Sequence, residues 1–154
     1  MVRLGQVAVL ALGLLGQGAA FAAVDCGPDR LAVQTPRATQ VFNVEVAADS
    51  ASRALGLMNR PSMPKSSGML FVYEQPSTAN FWMENTLIPL DMVFAGPDGV
   101  VTRVHANAIP MDRTTITGGD NIQFVLEING GLAKKMGIVE GSTMIHPAIG
   151  NCAK

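Results

Sequence analysis

The chain reads as a mainly β domain with a minor helical part, a compact antiparallel β-sandwich or barrel-like fold carrying two short helices. Three observations predict it. Several short segments alternate apolar and polar residues with the period of two that a half-buried strand requires. Glycine, proline, asparagine and aspartate collect between those segments, where turns need permissive or preset backbone. Helix start and stop signals mark only two stretches.

In chain order, residues 41–47 alternate, with Phe42, Val44 and Val46 on one face and Asn43 and Glu45 on the other. Asp49 is a good N-cap for a helix over residues 50–58, which Pro61 closes. Residues 68–73, 90–95, 100–109 and 122–128 read as further strands. Gly96-Pro97-Asp98-Gly99 is a hairpin turn in which Gly99 supplies the backbone freedom. The Thr- and Gly-rich residues 112–121 are expected to be a loop. A second helix over residues 132–136 carries Lys134 and Lys135 near its negative end and stops at Gly137. Residues 143–146 make a last short strand. On this reading residues 23–40 are an N-terminal arm without periodicity, 41–147 a single domain, and 148–154 a C-terminal tail.

The first 22 residues have the layout of a secretory signal: Arg3, an apolar run over residues 4–15, then Ala20-Phe21-Ala22. Cleavage is expected between Ala22 and Ala23, giving a periplasmic or secreted protein with no permanent membrane span. The rival reading is a retained anchor, although the apolar run falls short of the roughly 20 residues that span a bilayer. A lipoprotein signal would need a small residue where Asp25 precedes Cys26. Cys26 and Cys152 are the only cysteines, and in an oxidising compartment an even pair reads first as a disulfide. A redox-active pair is the alternative, but it would show closer spacing.

Removing 22 of 154 residues leaves ten basic against twelve acidic side chains. A chain so close to neutral, with no Lys/Arg cluster, is not built for nucleic acid. No Walker, Rossmann, zinc-protease or nucleophile-elbow motif occurs, so no cofactor is expected.

The ordered blocks Arg53-Ala-Leu-Gly-Leu-Met-Asn-Arg60, Gly68-Met-Leu-Phe71, Phe81-Trp-Met-Glu-Asn-Thr86 with Ile88-Pro-Leu-Asp91, and Val125-Leu-Glu-Ile-Asn129 resemble the domain-of-unknown-function 192 family, also called uncharacterised protein family 0127. Gly131, Gly137, Ile138 and Gly141 continue the resemblance, which spans residues 41–147. Two positions depart from the family pattern: Glu84 stands where a lysine is usual, and Ser142 where an acidic residue is usual. The resemblance implies a compact, mainly β fold in exported prokaryotic proteins and carries no established activity.

Asp91 and Glu127 are the candidate acid–base residues, each the single carboxylate of an apolar strand segment. Alternation sets Asp91 opposite Leu90, Met92 and Phe94, and Glu127 opposite Phe124, Leu126 and Ile128. If those apolar faces line one core, both carboxylates share the other face. Arg53 and Arg60, flanking the first helix, are their natural partners, because guanidinium forks match carboxylates. Two readings stay open: ion pairs that pin the helix to the sheet, or a polar pocket for a ligand or reaction. Catalysis would need one carboxyl with a raised pKa. Trp82 is either a stacking platform or a core residue. Asn85 and Thr86 are either ligand hydrogen-bonders or a turn satisfying its own backbone. Met144, His146 and His105 leave copper as a remote option, with most methionines better explained as core filler. The partner is a small molecule, a carbohydrate or a protein of an envelope assembly.

Overall fold

The computed structural model describes residues 26–152. The signal-like segment lies outside them. Among the described residues no helix is long and apolar enough to cross a membrane.

Seven strands form one curled sheet: β1 (Arg30–Gln34), β2 (Thr39–Ala47), β3 (Ser67–Phe81), β4 (Leu90–Ala95), β5 (Val101–Ala108), β6 (Ile116–Asn129) and β7 (Thr143–Ile145). Their order across the sheet is β5-β4-β6-β3-β2-β1-β7. Every pairing is antiparallel except β2 with β3, which helix α1 (Ser50–Leu55) and the following loop connect. The curl brings the outer edges together at one end. Val100 bridges Thr143, the Val101 N–H donates to the Ser142 carbonyl at 2.8 Å, and the Met144 N–H donates to the Gly99 carbonyl at 2.8 Å. The result is a half-barrel.

The sheet is apolar on both faces, which explains its composition. One cluster draws on all seven strands, among them Leu31, Phe42, Leu70, Val93, Val101, Phe124, Leu126 and Met144, and so fills the concave side. Helix α2 (Leu132–Met136) adds Leu132 and Ala133 to that core. The second cluster, including Leu57, Met69, Phe71, Met83, Leu90, Met92, Phe94 and Val125, covers the other face beneath the α1 region.

The turn at 96–99 forms as expected, with Gly99 at φ +82°. Asp49 caps α1, accepting from the Ala51 and Ser52 N–H groups at 2.9 Å. Four local expectations need correcting. Helix α1 ends at Leu55, not at 58, because Gly56 turns to φ +48° against the Phe71 ring. Residues 23–40 contain β1, which pairs with β2 and β7 and whose Leu31, Ala32 and Val33 are all buried, so both of its faces are covered. That double burial erases the alternation. Residues 116–121 belong to β6, not to a loop. A Cβ on Gly118 would lie 2.1 Å from Phe94 Cδ1, so glycine is there for close approach. Val46 faces solvent, out of phase with Phe42 and Val44.

Candidate functional site

Register decides where the two carboxylates point. In an antiparallel ladder, residues directly opposite share a face. Asp91 lies opposite Ile128, and Glu127 opposite Met92 on β4 and Met69 on β3. The alternation read within each strand is right, but the sheet has two cores. Asp91 therefore points to the concave side with Val93, and Glu127 to the other side with Val125. The expectation that they share one face is overturned.

The expected arginine pairing fails as well. Asp91 is fully buried and receives the N–H groups of Asn107, Gly131 and Ala133, each at 2.8 Å. It anchors the β5 end and the start of α2. Arg60 instead forms a two-pronged pair with Glu45 on the surface, its Nη2 2.7 Å from Glu45 Oε2. That pair holds Glu45 below the ordinary carboxylate range, chiefly through the hydrogen bond. Arg53 donates through Nη1 to the Ala48 carbonyl and, at 2.9 Å, to the Val72 carbonyl. Its guanidinium stacks 5.0 Å above the Tyr73 ring.

Glu127 stands apart. It is only 4 % exposed, and no hydrogen bond or ion pair to its carboxyl occurs among the described residues. Burial pushes the group up from 4.5 to about 8. Yet it is not sealed in, because it lines an open cleft of ≈ 290 Å³. Arg53 and residues 54–58 form one wall; Phe71, Tyr73, Asn80, Phe81, Trp82 and Thr86 form the rest. Phe81 packs edge-on against Phe71 and Phe94, with ring centroids 5.2 and 5.7 Å apart. Tyr73 is pushed above its ordinary value by burial, with Arg53 opposing and Glu127 reinforcing the shift. Trp82 is a rim residue, 55 % exposed.

Of the residues singled out in the sequence, the cleft gathers Arg53, Trp82, Thr86 and Glu127; Arg60, Asn85 and Asp91 do not line it. β3 ends at Phe81, so Trp82, Asn85 and Thr86 lie just beyond the strand. A tight turn follows, in which the Thr86 N–H donates to the Met83 carbonyl at 3.1 Å and Asn85 takes φ +53°. Thr86 also satisfies the Glu84 carbonyl at 3.2 Å. Tyr73 and Phe81 are cleft residues that the sequence did not single out; they line the same cleft as Glu127 although Phe81 pairs with Ile116, far along β6 from Glu127.

The copper candidates lie elsewhere. Met144 and His146 are buried, with His146 Nε2 3.1 Å from the Pro28 carbonyl and Nδ1 accepting the Ala148 N–H at 3.1 Å. Both ring nitrogens are thus occupied, and burial lowers the His146 pKa. Cys26 and Cys152 form a disulfide with Cα atoms 6.1 Å apart.

A family model described as DUF192, Uncharacterized ACR, COG1430, matches residues 32–146. The chain belongs to this family. DUF192 membership agrees with the resemblance of the motif blocks. A solved protein of unknown function from Novosphingobium aromaticivorans DSM 12444 is 41 % identical, with a TM-score of 0.74 over 75 % of this chain and 83 % of that one. A second, from Sinorhizobium meliloti 1021, is 33 % identical with a TM-score of 0.77, covering 82 % of this chain and 99 % of that one; its description proposes a transcription-regulator role for that protein. No curated protein matches the chain. The two departures from the DUF192 pattern have local explanations. Glu84 pairs with Arg113 at 2.8 Å, and the Ser142 hydroxyl accepts the Val139 N–H at 3.1 Å.

Chemically, the DUF192 cleft offers a carboxyl that is neutral near pH 7, an aromatic wall, an exposed indole and a guanidinium at the edge. Such a carboxyl can donate or accept a hydrogen bond, and it can ionise when an opposite charge arrives.

Proposed function

We propose that this DUF192 chain is an exported, periplasmic binding module that holds a small molecule or carbohydrate in the Glu127 cleft without transforming it. The supporting observation is Glu127 itself, a buried carboxyl with no partner among the described residues, facing an open cleft rimmed by Trp82. Leaving a polar group buried and unpaired costs roughly 1–3 kcal/mol, which a ligand's donor would recover. Export is supported by the signal-like first 22 residues and by the Cys26–Cys152 disulfide, a bond favoured in oxidising compartments.

A second reading has its own support. A carboxyl pushed to about 8 can exchange protons near neutrality, as a general acid or base must. The binding reading is preferred because, among the described residues, no second carboxyl, histidine or cysteine lines the cleft to share the chemistry.

The test is a thermal-shift screen of sugars, organic acids, amines and metal ions on the disulfide-bonded chain. Hits are then checked by the fluorescence of Trp82, the sole tryptophan. A ligand at a hundred times its Kd stabilises by about 2.7 kcal/mol. A hit that also shifts Trp82 emission supports the cleft. No response from any class would leave the module to be read as an interaction domain of an envelope assembly.

A further inference from the structure

We propose that the cleft takes an organic ammonium ion, its charge set against the Glu127 carboxylate and its apolar part against Trp82. This rests on the binding reading above and names the ligand class for it.

Three features of the cleft select that chemistry. Glu127 receives no donor from the described residues, and an ammonium supplies both donors and the opposite charge. The surrounding surface is soft and aromatic: Met69 and Met92 flank Glu127 on the neighbouring strands, and Phe71, Tyr73, Phe81 and Trp82 line the walls. Ring faces carry negative potential and attract cations. Arg53, 5.0 Å over Tyr73, already uses that wall in this way. An anion would meet a carboxyl and ring faces, and the guanidinium in the lining, Arg53, is already engaged by two carbonyls and the Tyr73 ring. A neutral ligand would gain nothing from ionising Glu127.

Arg53 is not the missing partner. Its Nη1 is held by the Ala48 and Val72 carbonyls, and no ion pair joins it to Glu127. The groups facing Glu127 from the packed elements are Arg53 from the α1 side, Tyr73 from β3 and the uncharged Met92 from β4. The cleft, at ≈ 290 Å³, sits at the lower end of the roughly 300–1,000 Å³ of small-molecule sites, so the ligand is small.

The protonation balance follows. In the free protein burial keeps Glu127 protonated at pH 7. When the ammonium enters, the carboxyl O–H proton passes to solvent, and the carboxylate left behind pairs with the cation. Binding at pH 7 therefore releases about one proton, and affinity falls about tenfold per pH unit below the free-state value.

The experiment titrates the disulfide-bonded chain with benzylammonium and with its neutral near-isostere benzyl alcohol, reading Trp82 fluorescence from pH 6 to 8. Benzylammonium is expected to bind at least tenfold tighter than the alcohol at pH 8, to weaken towards pH 6, and to lose that advantage in Glu127→Gln. Calorimetry of the unaltered protein in two buffers of different ionisation enthalpy is expected to show the released proton, and it carries the test if the variant does not fold. Equal affinity for both probes, no proton release, or full binding by Glu127→Gln would overturn the inference. If benzylammonium is silent while a sugar or acid from the screen moves Trp82, the ligand class is wrong and the binding reading survives. Silence from every compound overturns both.

Discussion

Asp91 on β4 and Glu127 on β6 sit one register step apart on paired strands, and they face opposite sides of the sheet. Both are buried carboxyls among apolar neighbours. The concave side gives Asp91 three backbone N–H groups, two of them from the chain entering α2. The other side gives Glu127 two methionines and an opening. A charge whose hydrogen bonds all come from its own fold is a structural tie. One with none, beside a cleft, is available to something outside the fold. Both groups are buried carboxyls; the satisfied or missing donors separate the roles.

The largest expected effect comes from breaking the satisfied side. Asp91→Ala strands three N–H groups, one buried and two partly buried, and should destabilise the domain by about 3–5 kcal/mol in urea unfolding. A loss below about 1 kcal/mol would show that those donors find water or other acceptors.

The unsatisfied side should show itself in pH dependence. Glu127 has a raised folded-state pKa, so the folded chain holds a proton that the unfolded chain has lost between 4.5 and about 8. Its contribution is fully present below pH 4.5 and drains away as the pH rises to about 8. The slope is about −1.4 kcal/mol per pH unit from this group alone. Glu127→Gln should flatten that slope in unfolding measured from pH 5 to 8. An unchanged slope would mean that Glu127 ionises freely in the folded state.

The smallest effect calibrates the other two. Glu45 is a carboxylate paired in the open, and a double-mutant cycle with Arg60 should give roughly 0.2–1 kcal/mol, weakening with salt. A coupling several times larger would place that pair among the structural ties beside Asp91.

Much of this fold is legible in the residues themselves. The 96–99 turn, the Asp49 cap, residues 90–95 and the α2 stop at Gly137 follow from local chemistry, and the structure keeps them. Elements shaped by contacts from both sides are not legible. β1 loses its alternation between β2 and β7, and the Gly-rich start of β6 is a strand because it pairs with the end of β3, with Phe94 packed close on Gly118. At the site, the sequence singles out Asp91 and Glu127 as lone carboxylates but cannot supply the strand register that sets them on opposite faces. Nor can it show that Arg53 finds backbone carbonyls, which belong to every residue and leave no mark in a sequence. Trp82 is an exposed rim residue because β3 ends one position earlier, a boundary its apolar neighbours conceal.

The Cys26–Cys152 bond bears on how the domain carries load. The bridge joins positions 126 residues apart, just before β1 and just after the turn that follows β7. When the chain is pulled from outside the two cysteines, tension runs through the sulfur–sulfur link and bypasses all seven strands. The oxidised domain behaves as a knot on a string, slack inside while taut outside. Once the bond is reduced, the same pull falls first on the three-residue β1–β7 pairing, and the sheet unzips from that edge.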